Sequence, residues 1–415
     1  MSRFSWRRLA ELHRASALIL LNILLFLIGL NLVLGLIFRV EDALTADPGD
    51  PVTRKYAGAE FARVYPGRAP EEIRAILTES FNRPFVYQPF TQFTERPFAG
   101  RHVTVDPAGF RRIPDQGPWP PAATGVNIFL FGGSTTFGYG VPDDDTIAAH
   151  LQRQLREGGL LAAVYNFGRG HYYSTQERIL FQQLLVQGFQ PTVALFIDGL
   201  NDFYHDQDMP KLTNQLSDCV DHLRRPTSRE WALFSNLPMA RANRAFNDWF
   251  KGVKRRWRGQ DRTGPLDAER FDRPEVIDQV LERHRRNREL IAAMARVRGV
   301  QAAFVWQPVP TFAYDLQQHL FIGDDFGRHA LSHYGYTELA QRLAQDPPGP
   351  DILWCAEIQR DLAEPLYVDQ VHYSGAMSAR VARCIAERLA ANGLIPAMTD
   401  GHRDAPATGL PEQRS

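Results

Sequence analysis

The residues best equipped for chemistry are a serine, a histidine and an aspartate in two motifs far apart in the chain. Ser134 follows the apolar run Val126-Asn-Ile-Phe-Leu-Phe-Gly-Gly133, and Asp369-Gln-Val-His372 lies near the C-terminus. A serine hydroxyl is a poor nucleophile until an imidazole takes its proton. The imidazole needs a carboxylate to hold its tautomer and to stabilise the imidazolium. Asp369 and His372 are spaced so that one turn can carry both. Attack on a carbonyl also builds an oxyanion, which needs hydrogen-bond donors. The Ser134 N–H, a backbone N–H from Gly168–His171 and the side-chain amide of Asn201 in Gly199-Leu-Asn-Asp202 are the candidates. Taken singly, each motif also reads as plain structure: a strand-to-loop turn, an Asx-type turn or a helix cap. Taken together and in this order, they make a constellation.

The elements that must position these residues are legible from periodicity. Apolar runs predict strands over Val126–Phe131, Ala162–Asn166, Thr192–Ile197, Val300–Trp306 and, briefly, Leu366–Val368. Between them, helices are expected over Thr146–Arg156 with Asp145 as N-cap, Ser174–Val186 with the capping box Ser174-Thr-Gln-Glu177, Pro274–Arg298 and Ser374–Ala391. This alternation predicts a three-layer α/β/α sandwich around a parallel sheet. All the motifs then fall on its C-terminal edge, where open α/β sheets bind ligands.

The set resembles the SGNH/GDSL family of serine esterases and lipases, in its Gly-Gly-Ser-Thr branch. Gly132-Gly133-Ser134 stands where the family usually has Gly-Asp-Ser, Gly199-x-Asn201-Asp202 matches its third block, and Asp369-x-x-His372 its fifth. The likeness runs from about Val126 to Leu389, apart from a long insertion. It implies a flavodoxin-like sandwich with Ser134 as nucleophile, His372 as base, Asp369 as its partner and Asn201 as an oxyanion donor. It implies no metal or organic cofactor. The second block departs from the pattern: His171 falls where the family has its oxyanion-hole glycine, and Gly170 stands one position earlier. Gly170 is the expected backbone donor, with His171 the alternative. There is no Gly-x-Ser-x-Gly at the nucleophile, which sets the chain apart from α/β-hydrolases.

The rest of the chain speaks to location. Ala15–Phe38 is almost uniformly apolar and, as a helix, about 36 Å long, enough to span a bilayer. Arg3, Arg7, Arg8 and Arg14 precede it, and Glu41, Asp42, Asp47 and Asp50 follow. The positive-inside rule then puts residues 1–14 in the cytoplasm and the rest outside, a bacterial periplasm fitting best. The long apolar core and the poor cleavage site Leu44-Thr45-Ala46 predict an uncleaved single-pass anchor, with a cleaved signal peptide as the rival reading. Residues 39–120 read as an irregular lead-in containing a short helix over Pro70–Phe81 and ending in the spacer Gly117-Pro-Trp-Pro-Pro-Ala. The hydrolase domain is expected over 121–395, interrupted at 203–272, with a disordered tail over 396–415. Within the insertion, Phe246, Trp249, Phe250, Val253 and Trp257 recur at helical spacing among Lys251, Lys254, Arg255, Arg256 and Arg258. The segment 241–258 reads as a surface helix, a second membrane contact or a lid. Three cysteines permit at most one bridge, and nothing in their spacing calls for it.

With a formal net charge of zero, nothing points to nucleic acid. The expected activity is cleavage of carboxylic esters on envelope or secreted glycans or lipids. An acyltransferase with the same triad, and a non-catalytic glycan-binding module, are the alternative readings.

Overall fold

The computed structural model describes residues 6–44, 61–206, 268–322 and 325–398, and between them 238, 239, 242, 243, 246 and 266. The chain divides into two compact units, Met1–Thr53 with Ser217–Arg262, and Arg54–Leu216 with Thr263–Ser415.

In the first unit, α1 (Trp6–Leu44) is a single helix. Over His13–Val40 it is long and apolar enough to cross a membrane, and Phe26, Leu32 and Leu36 along it are exposed. Asn31 donates from Nδ2 to Leu27 O and accepts from the Met239 N–H, so its polar side chain is satisfied. Most of the basic amphipathic segment 241–258 lies outside the described residues.

The second unit begins with α2 (Phe61–Val64), α3 (Pro70–Phe81) and two short hairpins, β1 (Val86–Gln88) with β2 (Gln92–Thr94) and β3 (Phe98–Ala99) with β4 (Thr104–Val105). The main sheet follows: β5 (Val126–Gly132), α4 (Ser134–Phe137), α5 (Ile147–Glu157), β6 (Ala162–Asn166), α6 (Ser174–Val186), β7 (Val193–Asp198), α7 (Leu200–Tyr204), α8 (Ala268–Phe271), α9 (Pro274–Val297), β8 (Gln301–Trp306), α10 (Leu331–Gln345), β9 (Ile352–Trp354) and α11 (Gly375–Ala391). Its five strands run parallel in the order β6-β5-β7-β8-β9. Chain direction across the sheet therefore switches between β5 and β7. Such a switch point opens a crevice at the C-terminal strand edge.

Strand β5 shows why its residues suit this place. Successive side chains point to opposite faces. Ile128 and Leu130 join an aliphatic layer with α5 and α11, whereas Phe129 and Phe131 join an aromatic layer with α6 and α9. Every residue of the strand is buried, as a central parallel strand requires.

Several local expectations are corrected. The fifth strand is Ile352–Trp354, while Leu366–Val368 stays out of the sheet in a loop closed by the Tyr367–Tyr373 bridge. Three residues in either place carry too little pattern to decide. Helix α5 is capped by the Thr146 hydroxyl, which accepts from Ala149 N, because Asp145 turns to Arg68 at 2.8 Å. The capping box of α6 does not form: Ser174 donates to Asp202 at 2.6 Å, and Glu177 is buried beside Asp198. Trp119, in the supposed spacer, packs on Phe110, Phe129, Tyr165, Phe167 and Phe189. Cys355 and Cys384 form a disulfide.

Candidate active site

Ser134 opens the one-turn helix α4 directly after β5. Its Oγ lies 2.8 Å from His372 Nε2, and His372 Nδ1 lies 2.7 Å from Asp369 Oδ2. Asp369 is buried, and its Oδ1 accepts the backbone N–H groups of Val371 (2.9 Å) and His372 (2.8 Å). Burial pushes its pKa up, but the His372 charge and these hydrogen bonds outweigh burial and hold the carboxyl below the usual range. An ionised Asp369 accepts only, so Nδ1 must carry the imidazole proton. Nε2 is then bare and accepts from the Ser134 hydroxyl, the arrangement in which a base can take that proton.

The loop carrying the pair is pinned on both sides. Val368 N donates to His372 O at 2.8 Å, Ser374 N donates to Leu366 O at 2.9 Å, and the Ser374 hydroxyl caps α11. The disulfide between Cys355 and Cys384 closes a covalent loop around the whole segment.

Across the switch point, Asn201 sits in the first turn of α7, its Nδ2 donating to Tyr172 O at 2.7 Å. An amide nitrogen has a second hydrogen to offer. The expected backbone donor, Gly170, is corrected: its N–H is committed to Glu95 Oε1 at 3.0 Å. The next residue, His171, holds the left-handed region at φ 62°, and its N–H has no acceptor among the described residues. The His171 carbonyl is held by His205 Nε2 at 3.1 Å. The His171 side chain is exposed, with Phe85 edge-on to its ring at 6.1 Å.

The residues that sequence reasoning missed come mainly from the lead-in. Arg111 is fully buried. Its guanidinium donates to Phe137 O (3.0 Å), Gly138 O (2.5 Å), Val141 O (2.7 Å) and Asp143 Oδ1 (2.9 Å), clamping the end of the serine turn. Phe81 meets the His372 ring edge-on at 5.7 Å. Tyr139 lies against the same ring at 5.5 Å and 25°. In a stretch without periodicity, these read as ordinary surface charges and scattered aromatics.

Beneath the site lies a buried acid group. Glu177 is buried with Asp198 and Asp202 as neighbours. Burial, together with the Asp198 and Asp202 charges, holds Glu177 well above the usual range. Asp198 also faces His284 at 3.3 Å. Among the described residues no group of three or more His, Cys, Asp or Glu is placed to hold a metal ion.

Residues 130–320 match the GDSL-like Lipase/Acylhydrolase family. The match takes in Ser134, His171 and Asn201 and ends before Asp369 and His372. No curated protein sequence matches the chain significantly. Among solved structures, a member of the lipolytic protein G-D-S-L family from Veillonella parvula is 10% identical, covers 64% of this chain and 96% of its own, and has a TM-score of 0.33. A catalytic mutant of Axe2, an acetylxylan esterase from Geobacillus stearothermophilus, is 11% identical, covers 68% and 99%, and has a TM-score of 0.36. Likenesses at this level carry no weight for substrate. The fold rests on the strand order and the family match.

Proposed function

We propose that this chain, which carries a GDSL-like lipase/acylhydrolase domain, is a membrane-anchored serine esterase acting outside the cytoplasm. The observation that carries the reading is the continuous chain Ser134 Oγ–His372 Nε2 (2.8 Å) and His372 Nδ1–Asp369 Oδ2 (2.7 Å). Ser134 Oγ attacks the ester carbon while His372 Nε2 takes its proton. The N–H groups of Ser134 and His171 and the second amide hydrogen of Asn201 receive the oxyanion. His372 gives the proton to the departing alcohol, then draws one from water as the acyl-serine is hydrolysed.

The extracytoplasmic part has two supports. Arginines precede α1 and acids follow it, as the positive-inside rule requires. The Cys355–Cys384 disulfide suits an oxidising compartment, such as a bacterial periplasm. Acyl esters of envelope or secreted glycans, or of lipids, are the substrates such an anchored enzyme would meet.

The test is labelling of the full chain by a fluorophosphonate, with Ser134→Ala and His372→Ala beside it. The expected result is labelling of the wild type and of neither variant. Folded wild-type protein that resists the probe and leaves nitrophenyl esters intact overturns the reading. Acyl transfer to an added alcohol, faster than hydrolysis, would move the assignment to a transferase.

A further inference from the structure

A carboxylate supplied by the lead-in joins the two halves of the site. Glu95 follows β2 and is 2% exposed. Its Oε1 accepts from the Tyr139 hydroxyl at 2.8 Å and from the Gly170 N–H at 3.0 Å. Arg83, also buried and also from the lead-in, faces Oε2 at 3.3 Å. The Tyr139 ring stacks against the His372 imidazole, which Phe81 meets edge-on, and Gly170 directly precedes His171. One oxygen therefore ties the support of the imidazole to the backbone turn on the other side of Ser134.

The fit around this oxygen is close. A Cβ on Gly170 would stand 2.6 Å from Phe85 Cζ and 2.9 Å from the Tyr139 hydroxyl. The Tyr139 phenol is held well above its ordinary pKa by burial and then by the Glu95 charge, so it remains a donor. A buried carboxylate costs several kcal/mol unless it is paired and hydrogen-bonded. Here Arg83 and two convergent donors meet that requirement. Arg83 has other partners, donating to Glu79 O at 2.6 Å and lying over the Phe137 ring at 4.9 Å. Pairing with Arg83 alone does not explain why Tyr139 and Gly170 converge on the opposite oxygen.

We propose that Glu95 is a positioning residue: through Tyr139 and Gly170 it sets the separation between His372 and the His171 N–H. This rests on the esterase reading above. Reacting groups displaced by about 1 Å lose on the order of 100-fold in rate, so the contact matters in the transition state more than in substrate binding.

The experiment is steady-state hydrolysis of a nitrophenyl ester by the full chain and by Glu95→Gln, Tyr139→Phe and the double variant. Glu95→Gln is expected to lower kcat by about 10- to 100-fold with KM within about threefold. Tyr139→Phe, which keeps the ring but loses the hydroxyl, should lower kcat by about 3- to 10-fold. The double variant should be no worse than Glu95→Gln, because both act through one contact. Folded Glu95→Gln protein with kcat within about twofold of wild type, or a loss that only tracks its folded fraction, overturns the proposal. If Glu95→Gln does not fold, unchanged kcat in Tyr139→Phe does the same. A wild-type chain without activity sinks the esterase reading by itself. The proposal is then read from the His372 ring-proton resonances, which Glu95→Gln should shift as the Tyr139 ring moves. Unchanged resonances overturn it.

Discussion

Gly133 and Asn201 approach so closely that a Cβ on the first would overlap Nδ2 of the second. The absence of a side chain beside Ser134 is thus what lets the amide reach the switch-point crevice. Gly133→Ala is expected to displace Asn201 and lower kcat toward the level of Asn201→Ala, a loss of about 100- to 1,000-fold for one oxyanion donor. Steady-state rates on a nitrophenyl ester check this, and full activity in folded Gly133→Ala protein would count against the oxyanion role of Asn201.

Arg111 serves stability through the serine turn. Arg111→Met leaves Asp143 Oδ1 and three carbonyls without their guanidinium donor. Breaking a buried charged contact of this kind costs about 3–5 kcal/mol. Chemical denaturation should show a lower midpoint with an unchanged slope, and Arg111→Lys should recover only part of the difference, since a single ammonium cannot reproduce the fork.

The disulfide encloses Asp369 and His372 within a loop of sequence separation 29. Closing a loop of that size stabilises by about 3–4 kcal/mol in the chain-entropy account. Replacing Cys355 and Cys384 together by alanine should lower the melting temperature. It should also make the wild-type response to reductant disappear, which differential scanning with and without a thiol would show.

Glu177 makes stability depend on pH. Its folded pKa is raised, so the folded chain keeps a proton that the unfolded chain releases near pH 4.3. That costs stability progressively as pH rises above about 4.3 toward the folded value. Glu177→Gln keeps the size of the side chain and removes the titration that carries the cost. Its melting temperature should exceed wild type at pH 8, and the gap should close toward pH 4. A gap that does not vary with pH would mean that Glu177 is already ionised in the fold.

Much of this protein was written locally. Alternating apolar runs and helical periodicity predict the parallel strands β5 to β8 and helices α5, α6, α9 and α11, because both signals arise between near neighbours in the chain. The residues that meet at the C-terminal edge, Ser134, Asn201, Asp369 and His372, are legible for the same reason: each sits in a short motif of uncommon composition. Where two local readings competed, folding chose between them. Ser174 and Glu177 spell a helix cap, but the buried environment of Asp202 and Asp198 drew both side chains away from it.

Which of the two neighbouring N–H groups stays open was a tertiary choice. The sequence favoured Gly170 over His171, but Glu95 takes the Gly170 N–H in the fold. Glu95 lies 75 residues from Gly170 and 44 from Tyr139, and no periodicity connects positions so far apart. Beyond the helix over Pro70–Phe81, the lead-in that carries Glu95, Arg83 and Arg111 shows little periodicity in sequence. Its polar groups are fixed only when desolvation on the folded sheet makes an unpaired charge too costly to leave unmet. The sequence by itself therefore determined the scaffold and the residues that meet at its edge. The tertiary structure decided which backbone N–H groups are already taken and which side chains brace those residues, since both depend on partners that only burial brings together.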